Sequence, residues 1–248
     1  MKLTIVGFSG SFAGPASPAS CYLIEHAGTR VLFDIGNGSL GALAQYVDIY
    51  SIDAVVLSHL HADHCADLAG FYVARKYGDG GPKPSIPVFG PAGTAARMAA
   101  LYGTDSGSPM DEIFDFTEFG PDPFRVGSVT LTAHPVVHCV PGFALRAQAD
   151  GRSIIYSGDT SYCPELVEAS KGADLALFEA SYLSRRANAS GIHMTGAECA
   201  RAATEAGVDR LILTHLVPWN DQDEVFAEAD AAFVGDVRLA GTGLEEEI

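Results

Sequence analysis

Within six residues, His59-Leu60-His61-Ala62-Asp63-His64, the chain gathers three imidazoles and a carboxylate. Side chains two positions apart on an extended segment point the same way, so His59 and His61 can bind one cation. Asp63 and His64 then turn toward a neighbouring position. The cluster follows Ala54 to Leu57, a short continuous apolar run of the kind buried inside a sheet. Free histidines have no reason to crowd behind such a run. Its end at Ser58-His59 sets the cluster at a strand's carboxyl end, where α/β folds place their ligands.

The elements that must carry these residues follow from the same kind of pattern. Strands are predicted at 3–8, 21–25, 29–34, 54–57 and 87–89, and again near 130–137, 142–148, 153–156, 175–179 and 210–213. Helices are predicted near 40–46, 65–77 and 92–102. Thr195 and Glu198 have the spacing of a capping box that opens an Ala-rich helix to about Ala206. Residues 9–20, rich in glycine and proline, read as a loop, and 78–84 as a flexible insertion expected to form an exposed flap. Acidic residues from Asp221 to Asp230 fit a solvated helical face, and Glu245 to Glu247 a solubilising tail. With no repeat and no linker between two compositions, one domain over 1–248 is expected.

The 248 residues carry 31 acidic and 15 basic side chains, a formal charge of −16. Such a body repels polyanions at long range, which argues against an extended nucleic-acid interface or an anionic membrane as partner. Cys21, Cys65, Cys139, Cys163 and Cys199 are odd in number and form no Cys-x-x-Cys pair, against both a disulfide framework and a zinc knuckle. No signal-peptide pattern and no apolar run of ~18 residues is present, so a cytoplasmic protein is expected.

Taken in order, the histidine cluster, Val136-Val137-His138, Ser157-Gly158-Asp159-Thr160 and Leu213-Thr214-His215 resemble the ligand motifs of the metallo-β-lactamase superfamily. The resemblance spans nearly the whole chain. It implies an α/β fold, a four-layer αββα sandwich of two mixed sheets with helices outside and metals at one edge. It also implies that one ion takes His59, His61 and His138, a second takes Asp63, His64 and His215, and Asp159 bridges. Of eight histidines, only His26 and His134 fall outside family positions. His26 suits a surface turn, and His134 could share a face with His138. Imidazoles and carboxylates without thiolates suit two divalent ions, zinc first, with manganese or iron fitting the same donors. A pair of ions ~3.5–4 Å apart turns water into a hydroxide nucleophile near neutral pH and stabilises charge on attacking and leaving oxygens, which serves hydrolysis.

Phe178-Glu179-Ala180-Ser181 and His193-Met194-Thr195 resemble two further motifs of ribonuclease Z and its relatives. In that reading Asp63, His193 and Glu179 are catalytic. His193 gives a hydrogen bond or proton to the phosphoryl group or leaving oxygen, and Glu179 orients and charges it. Two features of ribonuclease Z are missing. Pro15-Ala16-Ser17-Pro18-Ala19-Ser20 lacks the basic and amide side chains of its tRNA-reading loop, and His138 and Asp159 are 21 positions apart, too close for its tRNA-gripping arm. Arg185 and Arg186 form the one close basic pair near the site. Class B β-lactamases differ at the second metal site, and 33 residues after His215 are too few for a glyoxalase-type substrate domain. The expected function is therefore a dinuclear phosphodiesterase acting on small phosphodiesters such as cyclic nucleotides, by metal-hydroxide attack on phosphorus. The alternative is a tRNA 3′-end-processing endonuclease. Dimers are common among similar proteins, so a homodimer is a further expectation. Cys65 and Cys139 stand beside ligands and raise the question of redox sensitivity.

Overall fold

The computed structural model describes residues 1–104, 108–186 and 191–248. Among the described residues fourteen strands form in chain order: β1 (Lys2–Gly7), β2 (Cys21–His26), β3 (Thr29–Phe33), β4 (Ala54–Val56), β5 (Ile86–Gly90), β6 (Phe114–Glu118), β7 (Phe124–Val126), β8 (Val129–Val136), β9 (Gly142–Ala149), β10 (Arg152–Tyr156), β11 (Leu175–Glu179), β12 (Arg210–Thr214), β13 (Asp236–Leu239) and β14 (Glu245–Glu247). Seven helices accompany them: α1 (Ser39–Leu43), α2 (Ala62–Cys65), α3 (Asp67–Tyr77), α4 (Thr94–Tyr102), α5 (Pro164–Ser170), α6 (Gly196–Ala206) and α7 (Gln222–Asp230).

Strand alternation builds the layers. Leu3, Ile5, Tyr22, Ile24, Val31, Phe33 and Val56 pack with Leu145, Ile154, Tyr156 and Leu177 in a core shared by both sheets. Their neighbours Val6, Leu23, Leu32 and Val55 point the other way, onto Leu68, Phe71 and Tyr72 of α3. The period of two thus makes the first sheet apolar on both faces, one for the second sheet and one for a helical layer. Each sheet has seven strands, in the orders β14-β1-β2-β3-β4-β5-β6 and β13-β12-β11-β10-β9-β8-β7. Both are mixed. Pairing is parallel from β3 to β6 and from β10 to β13, and antiparallel elsewhere. The architecture is the αββα sandwich expected from the sequence, one unit around the shared core.

This pairing gathers chemistry at one edge. β8, β10, β11 and β12 run the same way, as do β3 and β4, and each ends next to a chemistry-bearing residue: His138, Asp159, Glu179, His215, Asp34 and His59.

One expectation changes. Glu245–Glu247 is an edge strand rather than a free tail: β14 pairs antiparallel with β1, and buried Glu246 bonds Arg210 and Arg238. Residues 78–84 are exposed or half-buried, as expected of a surface insertion. They lead into the amino end of β5, opposite the ligand edge, where Arg75 bonds the Pro84 carbonyl and Lys83 lies 4.8 Å from the Tyr50 ring centroid. His134 lies within β8, opposite Ala144 of β9. Strands β6, β7 and β13 and helix α5 were not anticipated by the sequence pattern. Among the described residues, no helix is long and apolar enough to cross a membrane.

Candidate metal centre

β4 delivers the first donors. Its carboxyl end leads through Ser58 to His59 and His61, and one turn of helix, α2, then turns Asp63 and His64 back toward the same space. Ligand atoms of His59, His61, His138 and Asp159 lie within 4.8 Å of one another. Asp63, His64, Asp159 and His215 form a second set under the same limit. All seven residues singled out as ligands are therefore brought together, in two groups that share Asp159.

The nitrogens converge. His61 Nδ1 lies 3.0 Å from His59 Nε2 and 3.3 Å from His138 Nε2. In the second group His215 Nε2 stands 3.1 Å from Asp63 Oδ2, and His64 Nε2 3.2 Å from Asp159 Oδ1. His64 Nε2 and Asp159 Oδ1 are fully buried and neither has a hydrogen-bond partner. An unpartnered buried acceptor costs on the order of 1–3 kcal/mol, so two of them aimed at one point fit a bound cation. The donor set agrees, since imidazole nitrogens and carboxylate oxygens are ligands for divalent transition ions.

The opposite ring nitrogens of four of the five histidines are engaged, which fixes those tautomers. His64 Nδ1 donates to Asp34 Oδ2 at 2.7 Å. His59 Nδ1 donates to Ser58 Oγ at 3.1 Å, while that hydroxyl donates to Asp34 Oδ2 at 2.7 Å. His138 Nδ1 donates to the Ile192 carbonyl at 2.9 Å. His215 Nδ1 donates to Ser181 Oγ at 2.7 Å, and Ser181 donates to Glu179 Oε2 at 2.9 Å. These four rings turn Nε2 to the centre, whereas His61 turns Nδ1.

Asp34 is the residue that sequence reasoning missed. Fully buried, it also accepts from the Ser58 amide at 2.7 Å and from Tyr156 Oη at 2.9 Å. Its φ of 58° and the 51° of His215 are left-handed conformations on non-glycine residues, backbone strain held at the site by its surroundings. The available signal was an Asp-x-Gly directly after a buried apolar strand. Ser181, seen only as part of a motif, proves to be the link between Glu179 and His215.

Electrostatics follow from the crowding. Burial, helped by the neighbouring His64, pushes His59 well below the ordinary imidazole range, and burial with His138 lowers His61, so both rings are neutral and able to ligate. Burial opposes charge on Asp63 and Asp159 as well, but the imidazoles around them win and hold both carboxyls below their usual range. For His64 the penalty of burial is outweighed by Asp159 and Asp34, which raise its proton affinity.

Beside the centre, His193 Nδ1 lies 2.8 Å from Oε1 of Glu179, which is fully buried. Glu179 also accepts from the amides of Thr160 and Ser181, at 3.0 and 3.1 Å. The His193 ring is 5.4 Å from that of His138 and 5.6 Å from that of His215, within reach of both donor groups. Burial disfavours its charge, yet Glu179 raises its pKa to about 9. Of the basic pair, Arg185 is taken by Glu224 at 2.5 and 2.7 Å, whereas Arg186 lines the cavity next to His193. Cys65 is buried, bonds the His61 carbonyl and has its pKa pushed up by burial to about 11, which makes it a poor nucleophile. Cys139 is exposed, 3.6 Å from His138 Nε2.

The β-lactamase superfamily domain matches residues 29–216. The chain is 40% identical over 242 residues to the uncharacterized protein Rv1339 of Mycobacterium tuberculosis, covering 96% of this chain and 88% of that one. It is 32% identical over 247 residues to the probable metallo-hydrolase YhfI of Bacillus subtilis, covering 98% of each, and the crystal structure of YhfI superposes with a TM-score of 0.88 at 29% identity over 99% of each chain. Ribonuclease Z of Mycolicibacterium gilvum is 30% identical over 244 residues, 88% of this chain and 85% of that one. With the donor groups already assembled at the sheet edge, these likenesses have one reading: the chain belongs to the β-lactamase superfamily, as a metallo-hydrolase.

Proposed function

We propose that this chain is a dinuclear metal-dependent phosphodiesterase acting on small phosphodiesters such as cyclic nucleotides. The observation that carries the proposal is the 2.8 Å pair of His193 with buried Glu179, set against two donor groups that share Asp159. His59, His61 and His138 would hold one ion, Asp63, His64 and His215 the other, and Asp159 both, with zinc first among the fitting metals. When bound, such a pair supplies a nucleophile from water near neutral pH and neutralises charge on phosphoryl oxygens.

The chain's own residues then divide the remaining work. Asp63, kept ionised, accepts a hydrogen bond from the attacking water. Water oxygen bonds to phosphorus and releases one proton through Asp63 to solvent, the ester bond on the far side breaks, and the departing oxygen takes its proton from His193 Nε2. Glu179 holds His193 by Nδ1, so that proton is aimed outward and retained at neutral pH. A phosphodiester suits this set because negative charge concentrates on its phosphoryl oxygens as it reacts.

The similarity to a ribonuclease Z supports phosphodiester chemistry. The connection between His138 and Asp159 favours a small substrate: it holds only β9, β10 and their turns, with no protruding arm. Purified protein reconstituted with zinc or manganese, assayed in parallel on cyclic AMP and precursor tRNA, tests the assignment. Turnover of cyclic AMP is expected, with His59→Ala losing metal and activity together. His193→Ala should lower kcat by ~10²–10⁴-fold with metal content kept. Cleavage of precursor tRNA without turnover of cyclic AMP would overturn the proposal in favour of tRNA 3′-end processing.

A further inference from the structure

Two cavities flank the donor cluster, and only one is built for a flat ring. The cavity beside His61, about 340 Å³, is walled by Leu60, Pro91, Ala92, Val140 and Pro141, and its one cation, Arg97, is turned onto the Leu60 carbonyl at 3.3 Å. The cavity beside His193, about 310 Å³, is lined by Ser11, Tyr182, Arg186, Trp219 and Asn220. Trp219 is the chain's single tryptophan. It is 60% exposed, and Phe12, 45% exposed, lies against it with ring centroids 5.7 Å apart and 30° between planes.

The segments that carry this aromatic pair are tied together by backbone hydrogen bonds. Gly10 N bonds Leu216 O at 3.1 Å and Leu216 N bonds Phe8 O at 2.8 Å, tying the loop that carries Phe12 to the segment that follows His215. The approach needs glycine, since a Cβ on Gly10 would sit 2.6 Å from the His215 carbonyl oxygen. Asn220 then anchors the far side of Trp219, its Nδ2 donating to Ser181 O at 2.8 Å. A platform held in place before binding loses little entropy on binding. Arg186 makes no ion pair among the described residues, unlike its neighbour Arg185. A proton donor, a cation and an exposed indole thus share one cavity.

We propose that Trp219, backed by Phe12, is the nucleobase subsite of this enzyme. A purine stacks on the indole, its sugar spans the cavity, and its phosphate faces His193 with Arg186 at its side. The assignment rests on the phosphodiesterase reading for its substrate class, but the stacking itself can be measured without turnover. Because Trp219 is the chain's one indole, fluorescence of the metal-loaded protein excited at the red edge, beyond tyrosine absorption, reports on this ring alone. Titration with AMP should quench it saturably, while ribose 5-phosphate, which lacks the base, should not. In kinetics, Trp219→Ala should lower selectivity for cyclic AMP over a base-free cyclic ribose phosphate about 10-fold, through KM rather than kcat, and Trp219→Phe should restore most of it. Equal quenching by both phosphates, no quenching, or selectivity unchanged in Trp219→Ala overturns the subsite. An emission change on raising protein concentration without nucleotide also overturns it, by assigning the rings to self-association. Base-selective quenching in a protein that hydrolyses no diester keeps the subsite and discards the phosphodiesterase reading. Diester turnover without such quenching does the reverse.

Discussion

Asp34 shows how a residue that touches no substrate can decide whether a site works. It collects the Ser58 amide and hydroxyl, His64 Nδ1 and Tyr156 Oη, and through them fixes the rings of His59 and His64. Asparagine tolerates the left-handed conformation that Asp34 adopts, so Asp34→Asn isolates the loss of the carboxylate from backbone strain. Metal affinity should fall ~10–100-fold, read by competition against a chromophoric chelator; unchanged affinity would mean the ligands hold their own geometry. Glu179 governs pH dependence in a comparable way. It raises the pKa of His193 to about 9, above the ordinary 6.5, so the stability the pair contributes is complete below about pH 6.5 and lost as pH rises through about 9. The proton needed for leaving-group departure disappears over the same range. Glu179→Gln removes the raising charge, and the alkaline limb of kcat should move toward acid; a limb that stays in place would take His193 out of the acid role. The cluster at 59–64 was legible because its imidazoles crowd behind an apolar run, and His138, Asp159 and His215 were legible through the family resemblance of the motifs that hold them; the fold brings all seven together. Asp34 was not, because its partners lie 24, 30 and 122 positions away and nothing local announces them.

Helix α6 carries the consequence of a single cap. Thr195 Oγ1 accepts from the Glu198 amide at 3.2 Å, and Glu198 Oε2 accepts from the Thr195 amide at 2.9 Å, the reciprocal pair expected from their spacing. Just upstream, Tyr182 N bonds Met194 O at 2.9 Å and pins the short segment bearing His193. Thr195→Ala should therefore cost about 1 kcal/mol and lower Tm by ~2–4 °C, with a smaller effect on kcat than His193→Ala. A loss of kcat as large as that of His193→Ala would mean that the cap itself positions the imidazole. Elements with strong apolar runs, such as β4, β10, β11 and β12, lie where the pattern predicts them. β14 escaped because three consecutive glutamates look like a solvated tail. Only the folded neighbours Arg210 and Arg238 explain why Glu246 is buried. The 78–84 segment was legible as an exposed connection, but glycines and prolines do not say which end of the sheet a connection serves.

At the scale of the molecule, the donor cluster is a seam between two sheets. His59, His61, Asp63 and His64 follow β4 of the first sheet, whereas His138, Asp159 and His215 follow β8, β10 and β12 of the second. Each proposed ion draws ligands from both. Asp34, Asp63, Asp159 and Glu179 are all buried there, and among the described residues none pairs with a lysine or arginine. In a chain of formal charge −16, this concentration of carboxylates needs imidazolium or metal cations to balance it. Metal should therefore staple the sandwich as well as serve the reaction. A ligand present at 100 times its Kd stabilises the folded state by about 2.7 kcal/mol, which for a chain of this size corresponds to ~5–10 °C in Tm for each site filled. Thermal unfolding with metal and after exhaustive chelation should differ by at least that much, and the difference should shrink in His59→Ala, which leaves the first donor group incomplete. If chelation leaves Tm unchanged while metal analysis confirms its removal, the two sheets are joined by their apolar core alone, and the cluster contributes to chemistry without contributing to the fold.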